Sequence, residues 1–360
     1  VTRILVWHWG RHGAGPRYAV ELAQALNALP DVSAVLSLSA QAEILQGANP
    51  PACALPFRTY RGLAGGLLRM VSAFPAARTL AGRLAALQLD LAICAMPAPL
   101  DLVMARALGM AGVRFAVILH DADTHPGEYW PGQRLLQGML ARRAAAVLAL
   151  SRHVADRLTA LGLASPERLV ITRHPPLAYG PPPSPPRAHG GKLRLLFFGR
   201  LLPYKGLDLL ADAVDLLGRR DDMELRVAGS GPESEALTRL RSAGVSVENR
   251  WVPETEVGTL LAWADGLVLS HREASQSGVA AAGLAAGRWL VATRVGGIVE
   301  QLQDEPGAML CAPNAASLAE AIRGLIAMPL PVVVPADPRI AWRSVAERLL
   351  GDLRQVMAVR

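Results

Sequence analysis

Short apolar runs alternate with longer stretches of helical spacing along the whole chain. Runs rich in Val, Ile, Leu and Phe predict strands at 4–7, 32–38, 91–95, 115–119, 147–150 and 169–172. Between them, apolar positions three and four apart predict helices at 16–29, 64–87, 99–108 and 153–161. Strands interleaved with helices predict a parallel sheet covered on both faces. The pattern stops at 174–191, HPPLAYGPPPSPPRAHGG, a segment with seven prolines and no periodicity that reads as a stiff linker. It then restarts, with strands expected at 193–198, 224–227, 266–269 and 290–292 and helices at 207–217, 233–243, 278–286 and 317–327. A last stretch, 338–357, sets Ile340, Trp342, Val345, Leu349, Leu353 and Val356 on one helical stripe. The expected division is a first domain 1–180, a linker 181–191, a second domain 192–336, and a terminal helix 337–360 that packs back on the first domain.

Composition narrows the class. Of the 360 residues 51% are apolar and 19% charged, which supports two full cores and little disorder. The net charge of +7 suits phosphorylated substrates or an anionic membrane surface. It does not suggest nucleic acid, because no basic run is interleaved with aromatics and no zinc spacing appears. Cys53, Cys94 and Cys311 lie far apart in apolar surroundings, so they give neither a metal spacing nor a disulfide framework and fit a reducing cytosol. Residues 1–7 read as a strand with a Gly-rich turn behind it rather than as a signal peptide. The most apolar stretch, 102–119, is broken by Arg106 and Arg114, short of the ~18 uncharged residues of a membrane span. The stretch Arg61–Arg83 carries four arginines and no acid. It reads either as a basic amphipathic surface for an anionic leaflet or as a core helix with an Arg-rich face, broken near Pro75. The expected location is cytoplasmic, peripheral on the inner face of the plasma membrane.

Three segments carry candidate chemistry. In FFGRLLPYKGLD (197–208) a strand runs into a Gly-containing loop and then a helix, and Arg200 and Lys205 lie five positions apart on that loop. Open α/β sheets bind ligands at strand carboxyl ends, where a planar guanidinium and a point-charge ammonium can converge on a diphosphate. A pair of solvated surface cations is the other reading. In SHREASQSG (270–278) small residues lead into a helix whose free N–H groups can cradle a phosphate, or Ser275 or Ser277 simply caps it. In TRVGGIVE (293–300) the paired glycines permit close backbone approach, and Glu300 is expected in the first turn of the next helix.

Together these segments resemble the carboxyl-terminal half of the GT-B glycosyltransferases, specifically glycosyltransferase family 4. The family's motifs read here as GRLLPYKGLD (199–208), AGSGP (228–232), EASQSGVAAAGLAAG (273–287) and ATRVGGIVE (292–300), in family order and spacing. The resemblance implies an α/β fold of two Rossmann-like domains facing each other across a cleft. It implies that Arg200 and Lys205, on the loop opened by Gly199, neutralise the donor diphosphate. It assigns Gly229, Gly231 and Pro232, with Trp251 and Val252, to the nucleotide base, and Glu300 to the end of the last motif. The family's two glutamates, eight positions apart, are altered: the first is replaced within the run Glu273, Ser275, Gln276, leading to Ser277 and Gly278, and the second by Ala282. Ribose recognition must therefore differ.

In the first half, GRHGAGP (10–16) follows a strand and precedes a helix, matching the family's glycine-rich acceptor-side loop, with Arg11 and His12 facing acceptor and Gly13 and Gly15 approaching the transferring group. A dinucleotide turn is the other reading, but no acidic residue closes a convincing second strand. His120, ending a strand, matches the family histidine that faces the donor sugar; a capping histidine is the plainer possibility. Asp121 is placed near the acceptor hydroxyl. Asp121-Ala122-Asp123 also resembles a metal-binding Asp-x-Asp, although loop capping by these carboxylates fits the fold better.

The family resemblance implies a metal-independent enzyme with no cofactor beyond a UDP- or GDP-sugar co-substrate. Such an enzyme would serve a glycan or polyprenyl-diphosphate-linked acceptor, retain configuration, and act in bacterial cell-surface polysaccharide or glycolipid synthesis. A nucleotide-sugar epimerase of the same fold and a catalytically silent sugar-nucleotide-binding subunit are the rival classes.

Overall fold

The computed structural model describes residues 1–59, 73–123, 127, 132–332, 334, 335 and 337–358. Most of the basic stretch Arg61–Arg83, at 61–72, lies outside the described residues. The chain divides into two compact units: the first holds 1–123, 132–173 and 339–358, the second 174–338 together with Gly127.

The first unit is built on β1 (Thr2–His8), β2 (Val32–Leu38), β3 (Leu91–Cys94), β4 (Phe115–Leu119), β5 (Ala146–Ala149) and β6 (Leu169–Ile171), all parallel, in the order β2-β1-β3-β4-β5-β6. Helices α1 (Ala14–Asn27), α2 (Ala73–Ala86), α3 (Asp101–Met110), α4 (Gln133–Arg143) and α5 (Arg152–Ala160) supply the crossovers. Ile4, Leu5, Val6 and Trp7 are all fully buried, as expected of a strand covered on both faces. Pro75 is the third residue of α2 as described, and the break expected near it adjoins 60–72, outside the described residues.

The second unit repeats the plan with β7 (Leu193–Phe198), β8 (Met223–Gly229), β9 (Ser246–Asn249), β10 (Gly266–Leu269), β11 (Trp289–Thr293) and β12 (Ala308–Cys311), ordered β12-β11-β10-β7-β8-β9. Between them run α6 (Leu207–Leu217), α7 (Glu235–Ser242), α8 (Glu254–Trp263), α9 (Gly278–Ala285), α10 (Gly296–Leu302) and α11 (Ala315–Ala327). Strand order reverses between β7 and β10, so the loops leaving these two neighbours diverge and open a crevice at their carboxyl ends. Both sheets are parallel and flanked by helices, the two Rossmann-like domains expected from the alternation.

The terminal helix, α12 (Pro338–Ala358), belongs from Arg339 onward to the first unit. Trp342, Val345, Leu349 and Leu353 are buried, while Ile340 of the expected stripe is exposed and Met357 takes the inner position at the far end. Trp342 meets the Tyr18 ring edge-on at 5.0 Å, and Arg114 donates to the Met357 carbonyl at 3.0 Å.

The Pro-rich segment does not stand off as a spacer. It lies along the second unit from Leu177, whose N–H donates to the Ala281 carbonyl and whose side chain is fully buried. Arg288, itself buried, donates to the carbonyls of Ala264, Ala286 and Ser184. Asp265 closes the segment: its carboxylate accepts from the Arg187 N–H at 2.5 Å, the Arg194 N–H at 2.8 Å and His189 Nε2 at 3.1 Å. Two of these donors are main-chain amides, and both lose this acceptor if the carboxylate is removed. Asp265→Ala is therefore expected to cost about 2–4 kcal/mol, the scale for stripping a buried charged acceptor from its donors. Urea unfolding checks this; a loss under about 1 kcal/mol, the worth of one ordinary hydrogen bond, would show the acceptor to be dispensable.

A second buried acid sits in the first unit. Asp101 opens α3 with its carboxylate accepting from the Ala98 N–H at 2.7 Å and from Cys94 Sγ at 3.3 Å. Burial pushes its carboxyl up to about 7. The folded chain therefore holds a proton on Asp101 that the unfolded chain releases above pH ~4, so this group costs stability as pH rises from about 4 to about 7. Measured against Asp101→Asn, wild-type stability should fall with rising pH in that window by up to about 1.4 kcal/mol per unit. A difference between the two proteins that does not vary with pH would contradict the burial effect.

Candidate functional site

Three loops of the second unit meet at the carboxyl ends of β7, β8 and β10. The first leaves β7 at Gly199, makes a single 3-10 turn over Pro203–Lys205 and enters α6 through Gly206. Gly206 adopts φ 69°, and a side chain there would run into the Ser270 carbonyl of the neighbouring loop. Gly229, at φ 154°, packs in the same manner on the carbonyl of Gly199. Only a residue without Cβ tolerates this backbone and this approach together. Further bonds lock the contact: Leu201 N–H to the Ser230 carbonyl at 2.9 Å, Arg272 N–H to the Tyr204 carbonyl at 2.9 Å, and Ser270 Oγ within 3.0 Å of the carbonyls of Lys205 and Gly206.

This framework sets the two candidate cations on one rim. Arg200 is exposed beside Gly199. Lys205 is half-buried, its ammonium 4.8 Å from the centre of the Tyr204 ring and 3.0 Å from His271 Nε2. His271 is not among the residues expected from the sequence, and it is 2% exposed. Arg272, next to it, pairs with Asp208.

The loop after β10 is anchored at its far end. Ser277 caps α9, its Oγ accepting from the Ala280 N–H at 3.2 Å. Gln301 of α10 grips the Ser277 backbone from both sides, accepting from its N–H at 3.0 Å and donating to its carbonyl at 3.1 Å. The Gly297 N–H donates to the Ala274 carbonyl at 3.0 Å, so α10 is tied to this loop at two places. The paired glycines are already helical, because α10 starts at Gly296; Glu300 is the fifth residue and falls in the second turn, not the first, where it is exposed. Ser275 is buried, Gln276 half-buried and Glu273 exposed. Ala282, where the family pattern has its second glutamate, is buried in the apolar core beneath α9 and presents no polar atom.

The β8 loop brings Gly229, Gly231 and Pro232 to the same rim. Asn249 Oδ1 accepts from the Gly231 N–H at 3.1 Å, and Asn249 Nδ2 donates to Glu233 at 2.6 Å. Bonded by Arg241 and then Asn249, Glu233 has its carboxyl drawn down to about 2. Trp251 leaves 44% of its surface open, the most accessible large aromatic near this loop, while Val252 behind it is buried.

In the first unit the expected residues gather at the other sheet's point of reversal, between β1 and β3. Two adjacent carbonyls at the end of β3 hold two imidazoles: His8 Nδ1 donates to Met96 at 2.8 Å and His120 Nε2 to Ala95 at 2.8 Å. Burial holds both rings neutral, with His8 down at about 4 and His120 also below the usual histidine range. His8 carries no motif signal in the sequence. Its Nε2 occupies the space where Gly10 and Gly15 would carry a side chain. Gly15 therefore belongs to the first turn of α1 and packs on His8, and Gly13 alone of the two lies in the loop, capping the helix with φ 82°. Arg11 accepts at its carbonyl from the Glu43 N–H, and His12 lies 3.4 Å from Glu43 Oε2. Asp121 is half-buried after His120. Asp123 is bound by Arg157 at 2.6 Å and Arg134 at 3.1 Å, which hold its carboxyl below the usual range. Among the described residues no cluster of three or more His, Cys, Asp and Glu side chains is arranged to hold a metal ion, and no helix is long and apolar enough to cross a membrane.

Comparison with known proteins agrees with this arrangement. Residues 192–328 match the family described as glycosyl transferases group 1, and residues 13–174 match the glycosyl transferase 4-like domain. Glycogen synthase of Mycobacterium tuberculosis is 28% identical over 223 residues, which is 60% of this chain and 52% of that protein, so the match spans about half of the curated relative. Sucrose-phosphate synthase from Thermosynechococcus elongatus shares the fold over 100% of both chains, with a TM-score of 0.68 at 16% identity. Anabaena HepE, solved in complex with UDP and glucose, does so over 100% of this chain and 99% of its own, with a TM-score of 0.67 at 16% identity. Two Rossmann-like units, each matching one of these two family models, show that the chain belongs to the GT-B glycosyltransferases of the family 4 type.

Proposed function

We propose that this glycosyltransferase takes a sugar from a uridine or guanosine diphosphate donor bound at the β7, β8 and β10 loops of its second unit. The observation that carries the reading is Lys205, its ammonium anchored at the point of strand reversal on the same short loop as Arg200. In the reaction the bond between the anomeric carbon and the donor phosphate oxygen breaks, and its electron pair leaves on the nucleoside diphosphate. The acceptor oxygen forms the new bond and gives up its proton to the departing diphosphate. Fixed positive groups stabilise the departing charge because they need not reorganise as it develops. The open face of Trp251, beside the Gly229–Gly231 turn, is a surface for the base.

Uridine is the first base to test, since the HepE structure holds UDP and glucose. The neutral imidazole of His120 in the first unit suits a sugar hydroxyl better than a phosphate. Asp121 and the Arg11–His12 loop belong to the acceptor in this reading. The acceptor is a glycan or a polyprenyl-diphosphate-linked sugar at an anionic membrane surface, in cell-surface polysaccharide synthesis, with retention of configuration. Support for the membrane comes from the charge of +7 and the acid-free basic stretch.

Screening UDP, GDP and ADP by thermal shift should single out one nucleotide before any acceptor is known. With the matching donor, Arg200→Ala and Lys205→Ala are each expected to lower turnover by ~10²–10³, the scale for losing one transition-state charge stabiliser. Both variants working at near wild-type rates would end the assignment. Chelation with EDTA is expected to leave turnover unchanged, because the two cations take the role a divalent ion fills elsewhere; a collapse of activity restored by Mg²⁺ would refute that.

A further inference from the structure

We infer that His271 is the positioning residue for Lys205, an inference that rests on the reading of Lys205 as the diphosphate cation. A lysine ammonium rides on a four-carbon stem with roughly 2 kcal/mol of rotamer entropy to lose before it can act from one place. Three features of the second unit restrict it. The main chain of Lys205 is held by Ser270 Oγ at 3.0 Å, its ammonium lies 4.8 Å from the centre of the Tyr204 ring, and its Nζ meets His271 Nε2 at 3.0 Å.

The chemistry of that last contact is directional. An ammonium has donors only, so His271 Nε2 must present its lone pair and the ring proton must sit on Nδ1. The histidine is in turn held by its burial and its main chain: the residue is 2% exposed, its backbone carbonyl accepts from Thr293 Oγ1 at 2.5 Å, and the neighbouring Arg272 N–H is bonded to the Tyr204 carbonyl. Strand β11 thus braces the histidine, and the histidine braces the lysine.

A neutral acceptor does here what a carboxylate cannot. Aspartate at position 271 would also orient the ammonium, but it would cancel the charge that the departing diphosphate needs. Imidazole orients and leaves the charge in place. The residue touches no reacting atom itself; it acts through Lys205.

The test compares Lys205→Ala, His271→Ala, His271→Gln, His271→Leu and the double variant His271→Ala/Lys205→Ala. UDP-glucose turnover, followed as UDP release, is measured with UDP affinity by calorimetry and the melting temperature of each protein. Misplacing a catalytic charge by an ångström or less is expected to lower kcat about 10- to 100-fold in His271→Ala and His271→Leu, with KM moving far less. Glutamine, which restores an acceptor oxygen, should recover most of the rate, whereas leucine, which restores only volume, should not. In the Lys205→Ala background the histidine change should add less than about twofold, since residues that act as one unit are not additive. Equal rescue by leucine and glutamine, full additivity, or an unimpaired His271→Ala would overturn the inference. A Lys205→Ala enzyme at the wild-type rate would remove the reading of Lys205 and this role with it. A crippled Lys205→Ala beside an intact His271→Ala would overturn the positioning role alone.

Discussion

Backbone lying directly on backbone at the carboxyl ends of β7, β8 and β10 is the constraint on which the second unit's chemistry depends. Gly206 rests on Ser270, and Gly229 rests on Gly199. A Cβ at these points would overlap the carbonyl oxygen of Ser270 or that of Gly199, so any side chain would force the loops apart. The contact between Gly206 and Ser270 is made although β7 and β10 are neighbours whose connections leave in opposite directions. Fold and site are thus one problem: the reversal opens the crevice, and the glycines set how closely its loops approach.

The two units solve the same geometric task with different electrostatics. At its point of reversal the first unit sets two buried imidazoles, kept neutral by desolvation and aimed by the carbonyls of Ala95 and Met96. The second sets an arginine and a lysine. Neutral nitrogens in a dry setting pair well with hydroxyl groups and poorly with phosphate, while fixed cations do the reverse. In the proposed function, sugar and acceptor groups fall to the first half and the nucleotide diphosphate to the second.

Much of this is legible in the residues. Buried central strands such as β1, β4, β7 and β10 announce themselves as apolar runs, because both faces are covered. Strand β9 (SVEN) is an edge with partly exposed side chains, so no apolar run marks it, and β12 (AMLC), the other edge, is apolar but only four residues long and is not among the strands the pattern predicts. Helix α8 is hidden for a related reason, since its buried positions are only Val257 and Leu261. The Pro-rich segment misleads in a different way: proline content reports stiffness but not what the stiff segment lies on, and the partners that hold it, Asp265 and Arg288, are 78 and 104 residues from the positions they bind. The cations are found from their spacing on one loop, and the motif glycines from the family resemblance. His8, His271 and Gln301 are not, because each acts through a contact made only after strands distant in sequence become neighbours.

The imidazole beneath the first glycine-rich loop has an evolutionary consequence. His8 Nε2 fills the volume that a β-carbon at either Gly10 or Gly15 would need, so these three positions are free to drift only as a set. While the ring stays, both glycines are locked. A lineage that shrank residue 8 would release both together, and could then rebuild the mouth of that loop with side chains at both positions. The histidine therefore acts as a latch on the diversification of the first unit, set at the end of the strand that feeds the loop it controls.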